Sequence, residues 1–78
     1  MNELILKEMN FEYIVYLYKP NGEGEPGEII YDRKNNETHI MEKAPADETG
    51  YFARKAERKV KECVEKNNLP IKCIQAWY

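Results

Sequence analysis

The stretch DETGYFARKAERKVKECVEKNNLP, residues 47–70, has the pattern of one complete amphipathic helix. Its apolar residues recur at a spacing that places them on one side of a helix, and charged residues occupy the other side. The apolar side consists of Phe52, Ala53, Ala56, Val60, Cys63 and Val64, and the charged side of Arg54, Lys55, Arg58, Lys61, Glu62 and Glu65. Because such a helix must bury its apolar side, we expect it to pack on the flanking sequence.

Recognisable signals mark both ends of this helix. Asp47 is the preferred N-cap and Thr49 the alternative, because a short polar side chain can accept hydrogen bonds from the free N–H groups of the first turn. At the other end, Asn68 suits the left-handed position after a helix, and Pro70 prevents its continuation. The sequence therefore predicts one bounded helix rather than part of a longer coil.

The rest of the chain has the pattern of strands. Aromatic and β-branched residues alternate over residues 11–18, which predicts a strand. A loop rich in glycine and proline follows over residues 20–27. Residues 28–43 indicate a hairpin of two strands, and residues 71–78 a fourth strand. Residues 1–10 are ambiguous, and we favour an irregular or short helical lead-in over a strand extension.

The hairpin has a candidate turn at Asn35 and Asn36, because asparagine tolerates the positive φ that a two-residue turn needs. This turn would set Asp32 opposite His39. The other pairs of that register are Lys34–Glu37, Arg33–Thr38, Tyr31–Ile40, Ile30–Met41 and Glu28–Lys43. Opposite charges and apolar side chains then face each other, which favours this register over a slip of one residue.

The order β-β-β-α-β predicts an α+β fold in which residues 1–78 form a single domain. We expect a two-layer sandwich: a mainly antiparallel four-stranded sheet covered on one face by the long helix. The helix makes a crossover connection, so the fourth strand should run parallel to the first and third. We place it beside the first strand, in the order 4-1-2-3, with an outer position beside the third strand as the alternative.

Composition limits the classes of function. One third of the residues, 33%, are charged, yet the net charge is only −2, which argues against a general nucleic-acid or membrane-surface binder. No stretch approaches the roughly 20 apolar residues of a membrane span, and residues 1–8 lack the features of a signal peptide. We therefore expect a cytoplasmic protein whose two cysteines are free thiols, with a disulfide as the alternative.

No catalytic, cofactor or metal motif is recognisable. The chain contains no serine, its glycine-rich loop lacks the Gly-Lys-Ser/Thr of a phosphate loop, and Cys63, Cys73 and one histidine do not supply four zinc ligands. His39 opposite Asp32 could form a catalytic dyad, but no nucleophile accompanies it. We interpret this pair as a polar cross-strand contact and predict no enzymatic activity, no cofactor and no metal.

The face of the sheet away from the helix is the candidate interface. We assign Phe11, Tyr13, Val15 and Leu17 to the helix side. An exposed patch would then remain on the other side, formed by Ile14, Tyr16, Tyr18, Ile74 and Tyr78. Such patches mark interfaces, so we expect a protein-interaction or self-association module, such as a homodimer, that uses this face or a sheet edge. The alternative is that residues 1–10 cover the patch.

A second hypothesis is nucleic-acid binding by the basic segment of the helix, residues 54–61. The candidate phosphate contacts are Arg54, Lys55, Arg58, Lys59 and Lys61. A solvated helix face explains the same residues, because pairs such as Arg58 with Glu62 are spaced to support a helix. Both interpretations stay open at this point.

Overall fold

The computed structural model describes residues 1–77 and contains one sheet and one helix. The elements are β1 Asn2–Met9, β2 Tyr13–Pro20, β3 Gly27–Asp32, β4 Glu37–Glu42, α1 Tyr51–Glu65 and β5 Lys72–Gln75. The five strands form an antiparallel sheet in the order β4-β3-β2-β1-β5, and α1 packs on one face of it. The predicted two-layer α+β fold is confirmed, whereas the count of four strands and the order 4-1-2-3 are wrong.

The additional strand is β1, in the segment for which we favoured an irregular or helical lead-in. β1 lies between β2 and β5 and pairs with both. Leu4 is buried in the core beneath α1. Asn10 closes the β1–β2 hairpin, because its Oδ1 accepts the N–H groups of Glu12 and Tyr13 at 2.8 and 2.9 Å. β5 is antiparallel to β1 and therefore runs parallel to β2, as the crossover argument predicts.

The side of β2 that faces the helix is opposite to our assignment. Ile14, Tyr16 and Tyr18 are at most 1% exposed and belong to the core under α1. Phe11, which we placed under the helix, is 99% exposed at the β1–β2 hairpin. Tyr13, Val15 and Leu17 alternate with the buried residues and therefore lie on the other face.

Small residues on α1 explain this choice of face. Ala53 and Ala56 are fully buried against the sheet, so bulky side chains must come from the strands to fill the interior. Tyrosine supplies that bulk, provided that its hydroxyl finds a partner. The Tyr16 hydroxyl donates to the carbonyl oxygen of Pro70 at 2.6 Å.

The Tyr18 hydroxyl lies in a hydrogen-bond network at the start of α1. It donates to Oδ2 of Asp47 at 2.9 Å and accepts the N–H of Ala44 at 2.9 Å. The Asp47 carboxylate also accepts the N–H groups of Phe52 and Ala53, at 3.2 and 2.9 Å. The N-cap residue is Gly50, so the predicted N-cap at Asp47 or Thr49 is wrong, although the Asp47 carboxylate still accepts hydrogen bonds from the first turn of α1, which begins at Tyr51. The left-handed conformation of Gly50, with φ 79°, makes the turn between Asp47 and the first residue of the helix.

The end of α1 differs from its prediction by one residue. Asn67, not Asn68, takes the left-handed conformation, with φ 51°. The N–H of Asn68 donates to the carbonyl oxygen of Cys63 at 2.9 Å, and the N–H of Asn67 to that of Val64 at 3.0 Å. These two bonds form the usual left-handed helix stop.

The β3–β4 hairpin has a register two residues away from the predicted one. Asp32 pairs with Glu37 and Ile30 with His39, because residues 33–36 form a connection of four residues instead of two. Asp32 stabilises that connection, since its Oδ1 accepts the N–H of Lys34 at 2.9 Å. The shift is two residues from Ile29 to Asp32, and an irregularity between Glu28 and Ile29 then sets Glu28 opposite Glu42 instead of the predicted Lys43. Within residues 1–77, no helix is long and apolar enough to cross a membrane.

The Tyr18 network generates a stability prediction. Tyr18→Phe leaves the buried N–H of Ala44 without its acceptor, so we expect the free energy of unfolding to fall by about 1–3 kcal/mol. Tyr13→Phe is the matched control, because the Tyr13 hydroxyl donates to Glu8 at an exposed site; its effect should stay within about 0.5 kcal/mol. Urea denaturation measures both, and equal losses would contradict the role of the network.

Burial of two phenols generates a pH prediction. Desolvation raises the pKa of Tyr16 and that of Tyr18 from 10.0 to about 12. The unfolded chain ionises these phenols first, so their stabilising contribution is complete below a pH of 10.0 and is lost as the pH rises towards about 12. Urea denaturation at increasing pH should show this loss as a falling free energy of unfolding. The fall with pH should be less steep in Tyr16→Phe, because one phenol fewer titrates. An identical slope in the variant would contradict the prediction.

Candidate functional site

No element of residues 1–77 covers the face of the sheet away from α1. Residues 2–9 form a strand of the sheet, so they do not fold across the face away from α1, and that alternative is wrong. All five strands lie in the sheet, and the helix packs on the opposite side. We call the side of the sheet away from α1 the open face.

Apolar side chains run across the centre of the open face. Ile5 on β1 lies opposite Leu17 on β2, and Val15 on β2 lies opposite Ile30 on β3. We call these four residues the apolar strip. Val15 is 6% exposed, and the other three are partly exposed. The strip therefore spans the three inner strands of the sheet.

An ion pair connects two strands across the apolar strip. Nζ of Lys7 on β1 lies 2.6 Å from Oε1 of Glu28 on β3, so the pair extends over β2. The hydrogen bond from Lys7 to Glu28 and the charge of that carboxylate raise the pKa of Lys7. Towards β5, Nζ of Lys72 lies 3.5 Å from Oε2 of Glu3. An apolar centre with charged surroundings is the usual anatomy of a protein interface.

The interface residues that we predicted from the sequence are largely misplaced. Ile14, Tyr16 and Tyr18 are buried beneath α1 and cannot form an exposed patch. Ile74 lies opposite Glu3 at the β5 side of the open face and is 53% exposed, whereas Tyr78 lies outside the described residues. The residues that we missed are those of the apolar strip, and the error follows from inverting the two faces of β2.

The two sheet edges are less suited to binding than the open face. β4 forms one edge and carries half-exposed Met41, but Glu37 and Glu42 stand at its ends, and its pairing with β3 is irregular between Glu28 and Ile29. Charges and bulges of this kind protect edges against pairing with other strands. The opposite edge, β5, is only four residues long. The open face is therefore a stronger candidate than either edge.

His39 and Asp32 do not form the predicted cross-strand pair. Nε2 of His39 lies 3.5 Å from Oε2 of Glu37. The Asp32 carboxylate accepts the side-chain amide of Asn35 at 2.7 Å, a hydrogen bond that lowers its pKa. Both residues line a groove of about 370 Å³, but Asp32 stabilises the turn and does not orient the imidazole.

Neither cysteine lies in an environment that activates a thiol. Cys63 and Cys73 are free, and burial raises the pKa of both thiols. A thiol is reactive only as the thiolate, so these positions favour an unreactive form. Among residues 1–77, no group of three or more His, Cys, Asp or Glu side chains is arranged to hold a metal ion.

Three of the five predicted nucleic-acid contacts come together beside the first turns of α1. Arg54, Lys55 and Arg58 line a groove of about 340 Å³ together with Tyr51. We call this the basic–aromatic groove. The other two candidates, Lys59 and Lys61, do not line it.

The carboxylate expected to neutralise this groove is bound elsewhere. We considered Glu62 as the partner of Arg58. Its Oε1 instead lies 3.6 Å from Nζ of Lys59 and 3.2 Å from Nζ of Lys66. These two lysines lower the pKa of Glu62, mainly through the hydrogen bond from Lys66. The ion pairs of the helix therefore form away from the groove.

An aromatic cluster adjoins the groove. The ring centroids of Tyr51, Phe52 and Trp77 lie 5.7 to 6.0 Å apart. Nζ of Lys55 is 5.6 Å from the centroids of both Tyr51 and Trp77. The sequence did not reveal this contact, because Trp77 follows β5 and reaches the first turn of α1 only through the packing of the helix on the sheet.

Comparison with protein-family models, with curated proteins and with solved structures found no match.

Proposed function

We propose that this protein is a non-enzymatic self-association module whose open face binds the open face of a second copy. The observation that supports this proposal is the apolar strip, which crosses the three inner strands on the face away from α1. Burial of apolar side chains is the main driving force of protein association. The two protected edges of the sheet leave this face as the larger available surface.

The charges around the strip favour a second copy as the partner. Nζ of Lys7 and Oε1 of Glu28 meet over β2 at 2.6 Å, although Glu28 is in register with Leu17 and Lys7 lies further along β1, between Leu6 and Glu8. A twofold axis parallel to β2 would therefore bring the charged end of Lys7 in each copy close to that of Glu28 in the other, and would bring the two Leu17 side chains together. The ion pair formed within each chain can then be exchanged for two equivalent pairs between chains.

A second pair of charges fits the same symmetry. Lys72, Ile5, Leu17, Glu28 and Glu42 form one cross-strand row from β5 to β4. The twofold axis would place Lys72 at one end of this row over the acidic end of the row in the other copy. The basic end of this row in each copy would thus face the acidic end of the row in the other copy.

The size of the face indicates weak, reversible association. Five strands about 4.8 Å apart and about six residues long outline roughly 24 by 20 Å, close to 500 Å². Stable interfaces bury about 800 Å² per partner. We therefore expect a dissociation constant in the high micromolar range. The two free thiols suit a reducing compartment such as the cytoplasm, where we place this role.

A charge in the apolar strip should abolish association. Leu17→Lys would place an ammonium group where the two faces meet, so we expect this variant to stay monomeric at concentrations at which the unmodified chain associates. Ile71→Lys is the matched control, because Ile71 is 77% exposed and does not lie in the strip. Sedimentation velocity over a concentration series measures both variants. Association of the Leu17 variant, or a monomeric unmodified chain at millimolar concentration, would refute the proposal.

A mixing experiment tests the exchanged ion pair. In Lys7→Glu two carboxylates would meet at both contacts of a dimer, and in Glu28→Lys two ammonium groups would meet, so each variant alone should be monomeric. An equimolar mixture restores opposite charges at both contacts and should form a heterodimer, which sedimentation of one fluorescently labelled variant detects. Each variant has lost its own internal partner, so this recovery can arise only between chains.

Two further variants serve as controls for the mixture. Lys61→Glu and Glu65→Lys change the charge equally at exposed sites on α1, which lies on the other side of the sheet, so each alone should associate like the unmodified chain. Self-association of the Lys7 and Glu28 variants with no gain on mixing would show that these residues do not meet across the interface.

A further inference from the structure

The basic–aromatic groove has a composition that the self-association proposal does not use. Tyr51, Arg54, Lys55 and Arg58 lie on successive turns of α1, and the groove that they line measures about 340 Å³. No carboxylate of residues 1–77 forms an ion pair with these three cations. Within residues 1–77, the groove therefore concentrates positive charge without an ion-paired counter-charge.

The distribution of charge along the chain reinforces this local field. Residues 50–66 contain six Lys or Arg and three Glu, whereas residues 1–49 contain five Lys or Arg and eleven Asp or Glu. A polyanion is consequently repelled by most of the surface and attracted to α1. The net charge of −2, which argues against general nucleic-acid binding, conceals this asymmetry.

The aromatic side of the groove provides a surface for stacking. The Tyr51 residue is 43% exposed, and its ring is supported by Phe52 and Trp77, whose centroids are 5.7 and 6.0 Å away. A supported ring beside several cations is the combination with which proteins bind single strands, since bases stack on the ring while phosphates contact the cations. A base can stack in this way only if it is not already stacked in a duplex.

We propose that the basic–aromatic groove binds single-stranded nucleic acid, with Tyr51 stacking on one base and Arg54, Lys55 and Arg58 contacting phosphates. This function goes beyond self-association and does not depend on it, because the groove and the open face lie on opposite sides of the molecule. An acidic peptide would satisfy the cations but would leave the exposed ring without a base.

Fluorescence provides a direct test, because Trp77 is the one tryptophan of the chain and lies in the aromatic cluster. Titration with an oligothymidylate eight nucleotides long at low salt should change its emission. Three phosphate contacts on a single strand predict a slope of about −2 for the logarithm of the binding constant against the logarithm of salt concentration. Duplex DNA of the same length should bind more weakly.

Variants assign the binding to the groove. Arg58→Gln should weaken binding about fivefold and Tyr51→Leu about tenfold, which correspond to one phosphate contact and one stacked base. Lys34→Gln is the matched control, because it removes one exposed positive charge outside the groove; its effect should be less than about twofold. Circular dichroism verifies that each variant is folded.

Several outcomes would overturn this inference. They are no change in Trp77 emission at low salt, equal losses in the Arg58 and Lys34 variants, and binding of polyglutamate as tight as that of the oligonucleotide. Thymidine monophosphate binding as tightly as the oligonucleotide would indicate a single-nucleotide site and exclude a strand. The monomeric Leu17→Lys variant should bind the oligonucleotide normally, so failure of the self-association proposal remains distinguishable from failure of this one.

Discussion

The hydroxyl of Tyr18 joins three parts of the chain, and the positions of the remaining elements depend on this junction. It connects β2 to Asp47, which accepts hydrogen bonds from the first turn of α1, and to the backbone of Ala44, which follows β4. A Cβ at Gly27 would lie 2.2 Å from Cε1 of Tyr18, so the neighbouring strand makes room for the ring. Once Tyr18 points towards α1, the alternation of β2 directs Val15 and Leu17 to the open face. The composition of that face is thus a consequence of a buried polar contact on the other side.

The sequence predicts α1 and the strands β2 to β5 well, because each has a local period of apolar residues. It does not decide which side of β2 is buried, since both sets of alternating residues are apolar or aromatic. That choice depends on Ala53 and Ala56, whose small side chains require bulk from the sheet, and on the distant acceptors Asp47 and Pro70. Such requirements act between segments far apart in the chain. β1 was missed for a related reason, because the run of Leu4, Ile5 and Leu6 hides its alternation.

For the candidate sites too, the sequence reveals features that depend on local spacing but not contacts that depend on tertiary packing. Arg54, Lys55 and Arg58 share one side of a helix, and their helical spacing is visible in the sequence. The contact of Trp77 with Tyr51 is not visible there, because it requires β5 to lie beside β1 at the correct level. The ion pair of Lys7 with Glu28 likewise requires β1 and β3 to flank β2. Spacing therefore reveals charged residues, whereas the packed structure shows what surrounds them.

The positions of the open face and the basic–aromatic groove determine how association could influence nucleic-acid binding. Two sheets packed face to face lie about 10 Å apart, and each helix adds about 10 Å on the outside, so the α1 axes of two copies would be roughly 30 Å apart. The two basic–aromatic grooves would then face away from each other. A short strand could not contact both at once, so pairing of two copies would add a second independent site without increasing affinity for that strand. A gain in affinity would require a strand long enough to pass around the dimer.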